Sequence, residues 1–188
     1  MSTARQLRYS YEDYLRALDD SAIKLEFSAG TIYAMAGGTL AHADLSVAVS
    51  SALRQLPATC RVLSSDAKVR VEASDLAAFP DVSVVCGEPA TSRIDAHALT
   101  NPVLLVEVTS RSTEDYDRGE KLRHYQSLSS LRAVLFVSHR ERRLTLVSRG
   151  PSGWTSQDFF GGEQVVLTGP VVSLTVDQVY AGITLDPA

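Results

Sequence analysis

The sequence is short of cysteine. Its 188 residues include two, Cys60 and Cys86, each inside an apolar, strand-like run and without CxxC spacing. The expectation is a pair of buried free thiols in a reducing cytoplasm, rather than a disulfide or a metal pair. Long apolar runs are missing too. None approaches the roughly 18–20 residues that cross a bilayer, and residues 1–10 hold Arg5 and Arg8 but no apolar stretch of signal-peptide type. The reading is a cytoplasmic protein with no membrane partner. There is no glycine-rich phosphate loop, no dinucleotide fingerprint and no GxSxG turn, which argues against nucleotide-cofactor and serine-hydrolase chemistry. No helix-turn-helix or zinc finger is visible. Positive charge is not in excess: 18 Lys and Arg stand against 22 Asp and Glu, for a net charge of −4. That argues against a non-specific nucleic-acid coat protein, though not against chemistry that needs carboxylates.

What is present is enough for a packed core. Hydrophobic residues make up 45% of the chain and charged residues 21%, and the length suits a single domain over 1–188. The apolar spacing predicts a helix over 11–18, N-capped by Ser10 with Asp13 at its third position. A hairpin over 24–27 and 31–34 turns at Gly30, and a second helix runs from the Thr39 cap to residue 55, before Pro57. Strands are predicted over 61–63 and 68–71. The runs 82–86 and 103–108 are nearly continuously apolar, which suits strands buried on both faces. A second long helix over 113–128, capped by Ser112, is followed by strands over 133–138 and 144–148. The tail holds 154–160, a Gly161-Gly162 turn, 165–167 and a short helix over 176–180. The order predicts an α/β or α+β fold with one central mixed β-sheet flanked by helices.

Two acids stand out against that frame. Glu107 follows a five-residue apolar run, where a carboxylate is costly to desolvate without a cation or metal beside it. Asp81 is set at the start of a buried strand by Pro80, whose ring fixes the local backbone. Two carboxylates at the ends of neighbouring strands suit a hard divalent cation such as Mg²⁺ or Mn²⁺. Each also has a plain structural reading, a strand-edge cap for Asp81 and an internal Arg partner for Glu107. Lys121 lies on the helix after the Glu107 strand, four residues from Asp117. It serves either as a surface ion pair worth ~0.3–0.5 kcal/mol or as the cation beside a metal site. His42 opens the second helix as a boundary residue, a metal ligand or a proton relay. Glu26, in the first hairpin strand, is either solvent-facing or part of the same site.

Five stretches in one order give these residues a context: 30–38 with His42, 64–71, 80–86, 101–110 and 116–121. Together they resemble the Uma-two family of restriction endonucleases, a branch of the PD-(D/E)XK nuclease superfamily, over about 11–154. The remaining C-terminal part reads as a β-rich extension. The resemblance implies a restriction-endonuclease-like fold and a Mg- or Mn-dependent site that cleaves phosphodiesters. It makes Asp81 and Glu107 the metal-binding carboxylates, with Lys121, Glu26 and His42 completing the catalytic set. Two departures are visible. Thr109 stands where the superfamily carries a lysine, so Lys121 would substitute from the helix, and Arg111 stands where family members often have proline.

The implied partner is nucleic acid, DNA first, and a homodimer would allow both strands of a duplex to be cut. The alternatives are a catalytically silent DNA-binding protein on a nuclease scaffold, a structural homodimer, and a hydrolase of another phosphate ester. Charge along the chain bears on this. From Arg111 to Arg149 nine basic residues face five acidic ones, a local surplus of four, while the rest of the chain stands at −8. A phosphate-facing surface beside an acidic pocket is one reading of that asymmetry, and solvated helix and turn faces are the other.

Overall fold

The computed structural model describes residues 8–35 and 37–186, so Arg5 and Ala36 lie outside the described residues. Helix α1 (Tyr11–Asp19) starts at a capping box in which Ser10 and Asp13 bond reciprocally. The hairpin β1 (Leu25–Ser28) and β2 (Thr31–Ala34) turns through Ala29 and Gly30, both at positive φ, so the turn takes one more left-handed residue than its glycine alone provides. Helix α2 (Leu40–Leu53) begins at Thr39, whose hydroxyl accepts from the His42 N–H. The chain continues through β3 (Cys60–Ser64), β4 (Lys68–Val71), β5 (Leu76–Ala78), β6 (Val82–Cys86), β7 (Ala98–Leu99) and β8 (Leu104–Val108). It then forms α3 (Glu114–Tyr116), a π-helical turn over Asp117–Lys121, and α4 (Leu122–Gln126). The strands β9 (Ala133–Val137), β10 (Arg143–Gly150), β11 (Gly153–Phe160), β12 (Gln164–Thr168) and β13 (Val171–Thr175) precede the last helix α5 (Val176–Val179).

The strands form three sheets instead of one central sheet. A six-stranded sheet runs β11-β10-β9-β8-β6-β3, a five-stranded sheet runs β2-β1-β5-β4-β7, and β12-β13 form a separate hairpin. Both larger sheets are mixed, through the parallel pairs β8–β9 and β4–β7. The short strands β5 and β7 carry too few residues to show a period, so the second sheet was invisible in the pattern.

The central strands β9, β8 and β6 of the six-stranded sheet are buried on both faces, as the apolar runs of β6 and β8 require, while the edge strands β11 and β3 are partly exposed. On one face Val82, Val84, Leu104 and Val106 pack under Leu45, Val49 and Leu53 of α2, with the β12–β13 hairpin and α5 completing the layer. The i, i+4, i+8 spacing of the three α2 residues gives one continuous buried stripe, each side chain contributing about 1.5–3 kcal/mol. The other face carries Val85, Leu105, Val134 and Phe136 against Tyr125 and Leu128 and against Val69, Leu76 and Ala78 of the five-stranded sheet. Helix α1 covers the far side of that second sheet through Tyr11, Tyr14, Phe27 and Ala77.

Two further expectations are corrected. Cys60 and Cys86 are cross-strand partners on β3 and β6 and are joined as a disulfide, so free thiols no longer support a reducing compartment. The predicted helix over 113–128 is broken by the π-helical turn, and Ser112 is not its cap; the Ser110 carbonyl accepts from the Glu114 N–H and its hydroxyl meets that of Thr113.

Candidate active site

The two sheets meet where the chain steps from β5 to β6 through Phe79, Pro80 and Asp81. In the antiparallel pair β6–β8, Val82 lies opposite Val106, so Asp81, one residue earlier, faces Glu107. Residues two apart on a strand share a face, which puts Glu107 in phase with Leu105, turned toward α4 and the five-stranded sheet. Asp81 bridges to the same strand, its Oδ2 accepting from the Val108 N–H at 2.7 Å. Glu107 is buried and Asp81 half-buried, with side chains 5% and 14% exposed.

Lys121 stands at the centre of the acids. Its Nζ lies 3.0 Å from Glu107 Oε1, 3.2 Å from Glu26 Oε1 and 3.5 Å from Asp117 Oδ1, and its side chain is 4% exposed. Glu26 reaches in from β1 and is held by the Phe79 N–H, which donates to Oε1 at 2.9 Å. The Tyr125 hydroxyl donates to Glu107 Oε1 at 2.7 Å, so Lys121 and Tyr125 address the same carboxylate oxygen. The π-helical turn carries both Asp117 and Lys121, and both are buried. Such turns recur inside helices at functional positions because the extra residue changes which side chains face inward. On the opposite flank, His42 Nε2 lies 3.4 Å from Asp81 Oδ1.

Electrostatics follow from that crowding. Burial pushes the Glu107 carboxyl well above the usual range, and the Asp117, Asp81 and Glu26 carboxylates add to the rise against the pull of Lys121. Asp117 is also raised, chiefly by burial. Burial acts to lower Lys121, but Glu107, Glu26 and Asp117 outweigh it and hold the ammonium above its ordinary value. The hydrogen bond to Asp81 raises His42. Glu107, Glu26 and Asp117 thus share one lysine, with Asp81 opposite Glu107, so acidic groups outnumber the cation at this point. Among the described residues no group of three or more His, Cys, Asp or Glu forms a preformed metal cage. The oxygen donors and the negative excess nevertheless fit a hard divalent cation of the kind that takes one or two carboxylates and fills its other positions with water or phosphate.

All five residues expected from the sequence come together: Asp81, Glu107, Lys121, Glu26 and His42. Three plain readings are corrected on the way. Glu26 is buried, not solvent-facing; Lys121 is an interior cation, not a surface ion pair; and the group that neutralises Glu107 is this lysine, not an arginine. Asp117 and Tyr125 were missed as site residues, although their four-residue steps on either side of Lys121 were the available signal. Thr109 takes no part: it is buried with its Oγ1 3.1 Å from His139 Nδ1, and Arg140 Nε donates to that ring's Nε2. The basic stretch from Arg111 to Arg149 is divided. Arg118 and Arg143 pair with Glu114, and Arg149 donates to the Gln126 and Leu128 carbonyls. Arg111, Arg140 and Arg142 are exposed and follow the C-terminal ends of the parallel strands β8 and β9, the end at which Glu107 lies.

Comparison with known proteins gives this arrangement relatives. Residues 11–178 match the Uma2 family, described as "Putative restriction endonuclease", which carries the likeness past Trp154 through the β12–β13 hairpin. The uncharacterised Synechocystis protein slr1290 is 34% identical over 179 residues, covering 94% of this chain and 93% of its own. A second Synechocystis protein, sll1609, is 29% identical over 130 residues, covering 66% of this chain and 72% of its own. Among solved structures, a "putative nuclease belonging to DUF820" from Anabaena variabilis superposes with a TM-score of 0.72 at 12% identity, covering 92% of this chain and 98% of that one. At that identity the likeness is one of fold.

Proposed function

The chain belongs to the Uma2 family, and from that membership and the acidic cluster around Lys121 we propose that it is a metal-dependent endonuclease hydrolysing phosphodiester bonds of nucleic acid, DNA first. The observation that carries the reading is the meeting of Asp81 and Glu107, on adjacent strands, with the buried cation Lys121. Asp81 and Glu107 would hold Mg²⁺ or Mn²⁺. Bound there, the ion supplies Lewis-acid stabilisation of the charge that develops on the scissile phosphate.

The protein's own groups have separate tasks. Lys121 keeps its proton, so it acts as a fixed cation that orients the attacking water and stabilises negative charge on phosphate oxygen, not as the base. Glu26 and Asp117 hold that ammonium in place. Tyr125 fixes the Glu107 carboxylate by donating to its Oε1. His42, raised by Asp81, offers a proton or a hydrogen bond at the mouth of the cleft. The exposed Arg111, Arg140 and Arg142 lie at the correct end of the sheet to meet phosphates further along the strand. A second copy of the chain would be needed for concerted cutting of both duplex strands, each site cutting one.

One observation favours a silent scaffold instead: Lys121 lies 3.0 Å from Glu107 and so supplies that carboxyl with a counter-charge from within the chain. The two readings separate on plasmid and oligonucleotide substrates incubated with Mg²⁺, Mn²⁺ or EDTA. Cleavage should require the metal and fall at least a hundredfold in Asp81→Asn and in Lys121→Ala. Cleavage that survives Asp81→Asn would overturn the site assignment, and metal-independent binding without nicked product would favour the scaffold.

A further inference from the structure

The acidic cleft poses a problem for a substrate that is itself a polyanion. Three carboxyl groups surround one lysine and Asp81 lies beside them, so part of the affinity for nucleic acid must come from something other than charge. The strand paired with the Glu26 strand offers such a contact. Tyr33 on β2 is the register partner of Glu26 on β1. Directly opposite residues in an antiparallel pair have Cβ atoms about 4.5–5.5 Å apart and share a face, so the Tyr33 side chain stands beside the carboxylate that holds Lys121. Its ring is not absorbed into the core: Tyr33 is 43% exposed, on the edge strand of the five-stranded sheet.

A second aromatic ring lies beside it. The Tyr116 ring lies 6.0 Å away, centroid to centroid, at a 39° tilt, and Tyr116 directly precedes Asp117 on the helix that carries Lys121. The two tyrosines thus come from the hairpin partner of the Glu26 strand and from the helical turn that runs directly into the one carrying Lys121. One step further along the same face of β1, Ser28 Oγ lies 3.2 Å from Glu120 Oε1 and 3.3 Å from His124 Nε2. The aromatic face therefore continues into a row of hydrogen-bonding groups.

Resting on the nuclease reading above, we propose that the Tyr33 ring, backed by Tyr116, is a stacking platform for the nucleobase next to the scissile phosphate. The preferred substrate is then an unpaired or single-stranded segment. A base can lie on the exposed face of Tyr33 only when it has left its own stack, whereas a paired base has that face occupied by its neighbours. Stacking is indifferent to the sign of the cleft and tolerant of base identity. It supplies affinity where the acids oppose it.

The test uses the full chain and 2-aminopurine-containing oligonucleotides, single-stranded and duplex. Binding is read in EDTA by aminopurine emission and anisotropy, and cleavage is read separately with Mg²⁺. The parent should favour the single strand and change the aminopurine emission on binding. Tyr33→Phe, which keeps the ring, should match the parent within about twofold. Tyr33→Ser should weaken single-strand binding by roughly 5- to 150-fold, the loss of one stacked base, and raise KM while leaving kcat nearly unchanged. Circular dichroism confirms that the variant, altered at an exposed position, is folded. Cleavage and binding that are the same in Tyr33→Ser as in the parent would overturn the platform and leave the nuclease intact. A parent that neither binds nor cuts any nucleic acid would overturn both.

Discussion

Replacing Lys121 by methionine removes the ammonium and keeps most of the apolar stem, so it isolates the charge at the centre of the cleft. In the parent that charge faces Glu107, Glu26 and Asp117 at 3.0, 3.2 and 3.5 Å from a side chain that is 4% exposed. Removing one partner of a buried ion pair costs about 3–5 kcal/mol, because the remaining charge is left desolvated and uncompensated. For a chain of this length each kcal/mol moves Tm by roughly 2–4 °C, so the drop at pH 8 should be about 6–20 °C. The deficit must also depend on pH. Burial already raises Glu107 and Asp117 above the ordinary carboxylate range, and loss of the lysine raises them further. The folded variant then binds more protons than its unfolded chain, so its stability falls as pH rises above the unfolded carboxylate value of about 4. Urea melts followed by far-ultraviolet circular dichroism at pH 5 and pH 8 read this directly. The deficit relative to the parent should be smaller at pH 5, and Mg²⁺ should stabilise the variant more than the parent if the carboxylates accept a cation. A loss under about 1 kcal/mol that is the same at both pH values would refute the reasoning.

Two further outcomes follow from parts of the fold remote from the cleft. Burial acts to raise Asp95, but the Lys68 ammonium at 2.7 Å and the Tyr11 hydroxyl at 2.6 Å outweigh it and hold the carboxyl below its ordinary value. That contribution to stability is present above the unfolded aspartate pKa and is lost as pH falls through the folded one. Asp95→Asn should therefore lower Tm at pH 7, and the gap to the parent should close only as pH falls below the ordinary aspartate value toward the lowered folded one, as thermal melts across acid pH would register. The Cys60–Cys86 bond closes a loop with a sequence separation of 26. Its loss in Cys60→Ser/Cys86→Ser should cost about 3–4 kcal/mol by loop entropy, measured as a lower urea midpoint; equal midpoints would remove the disulfide from the stability of this fold.

Much of the site was legible because its signals are local. A carboxylate in phase with an apolar run, as Glu107 is, and a Pro-Asp step before another such run need no knowledge of distant contacts. The strands β6 and β8 and helix α2 were equally plain, since continuous apolar runs and a four-residue stripe leave few alternatives. Glu26 was not, because alternation along β1 says which residues share a face but not which face meets a second sheet. The same long-range contact hid the five-stranded sheet, whose β5 and β7 have three and two residues. The π-helical turn was invisible for another reason. Its extra residue leaves the composition of 113–128 that of an ordinary helix, and only packing of Asp117 and Lys121 against the acids favours it. The disulfide was misjudged because cross-strand register, not cysteine spacing, brings Cys60 to Cys86.

The step from β5 to β6 has a mechanical consequence. Three residues, Phe79, Pro80 and Asp81, carry the chain from one sheet to the other. The first clamps Glu26 through its N–H, the second is buried with its φ locked by the ring, and the third carries a site carboxylate. No slack lies between them for the two sheets to swing apart or together. The spacing between the two sheets at the acidic cluster is therefore set when the protein folds, and whatever binds there has to fit that spacing.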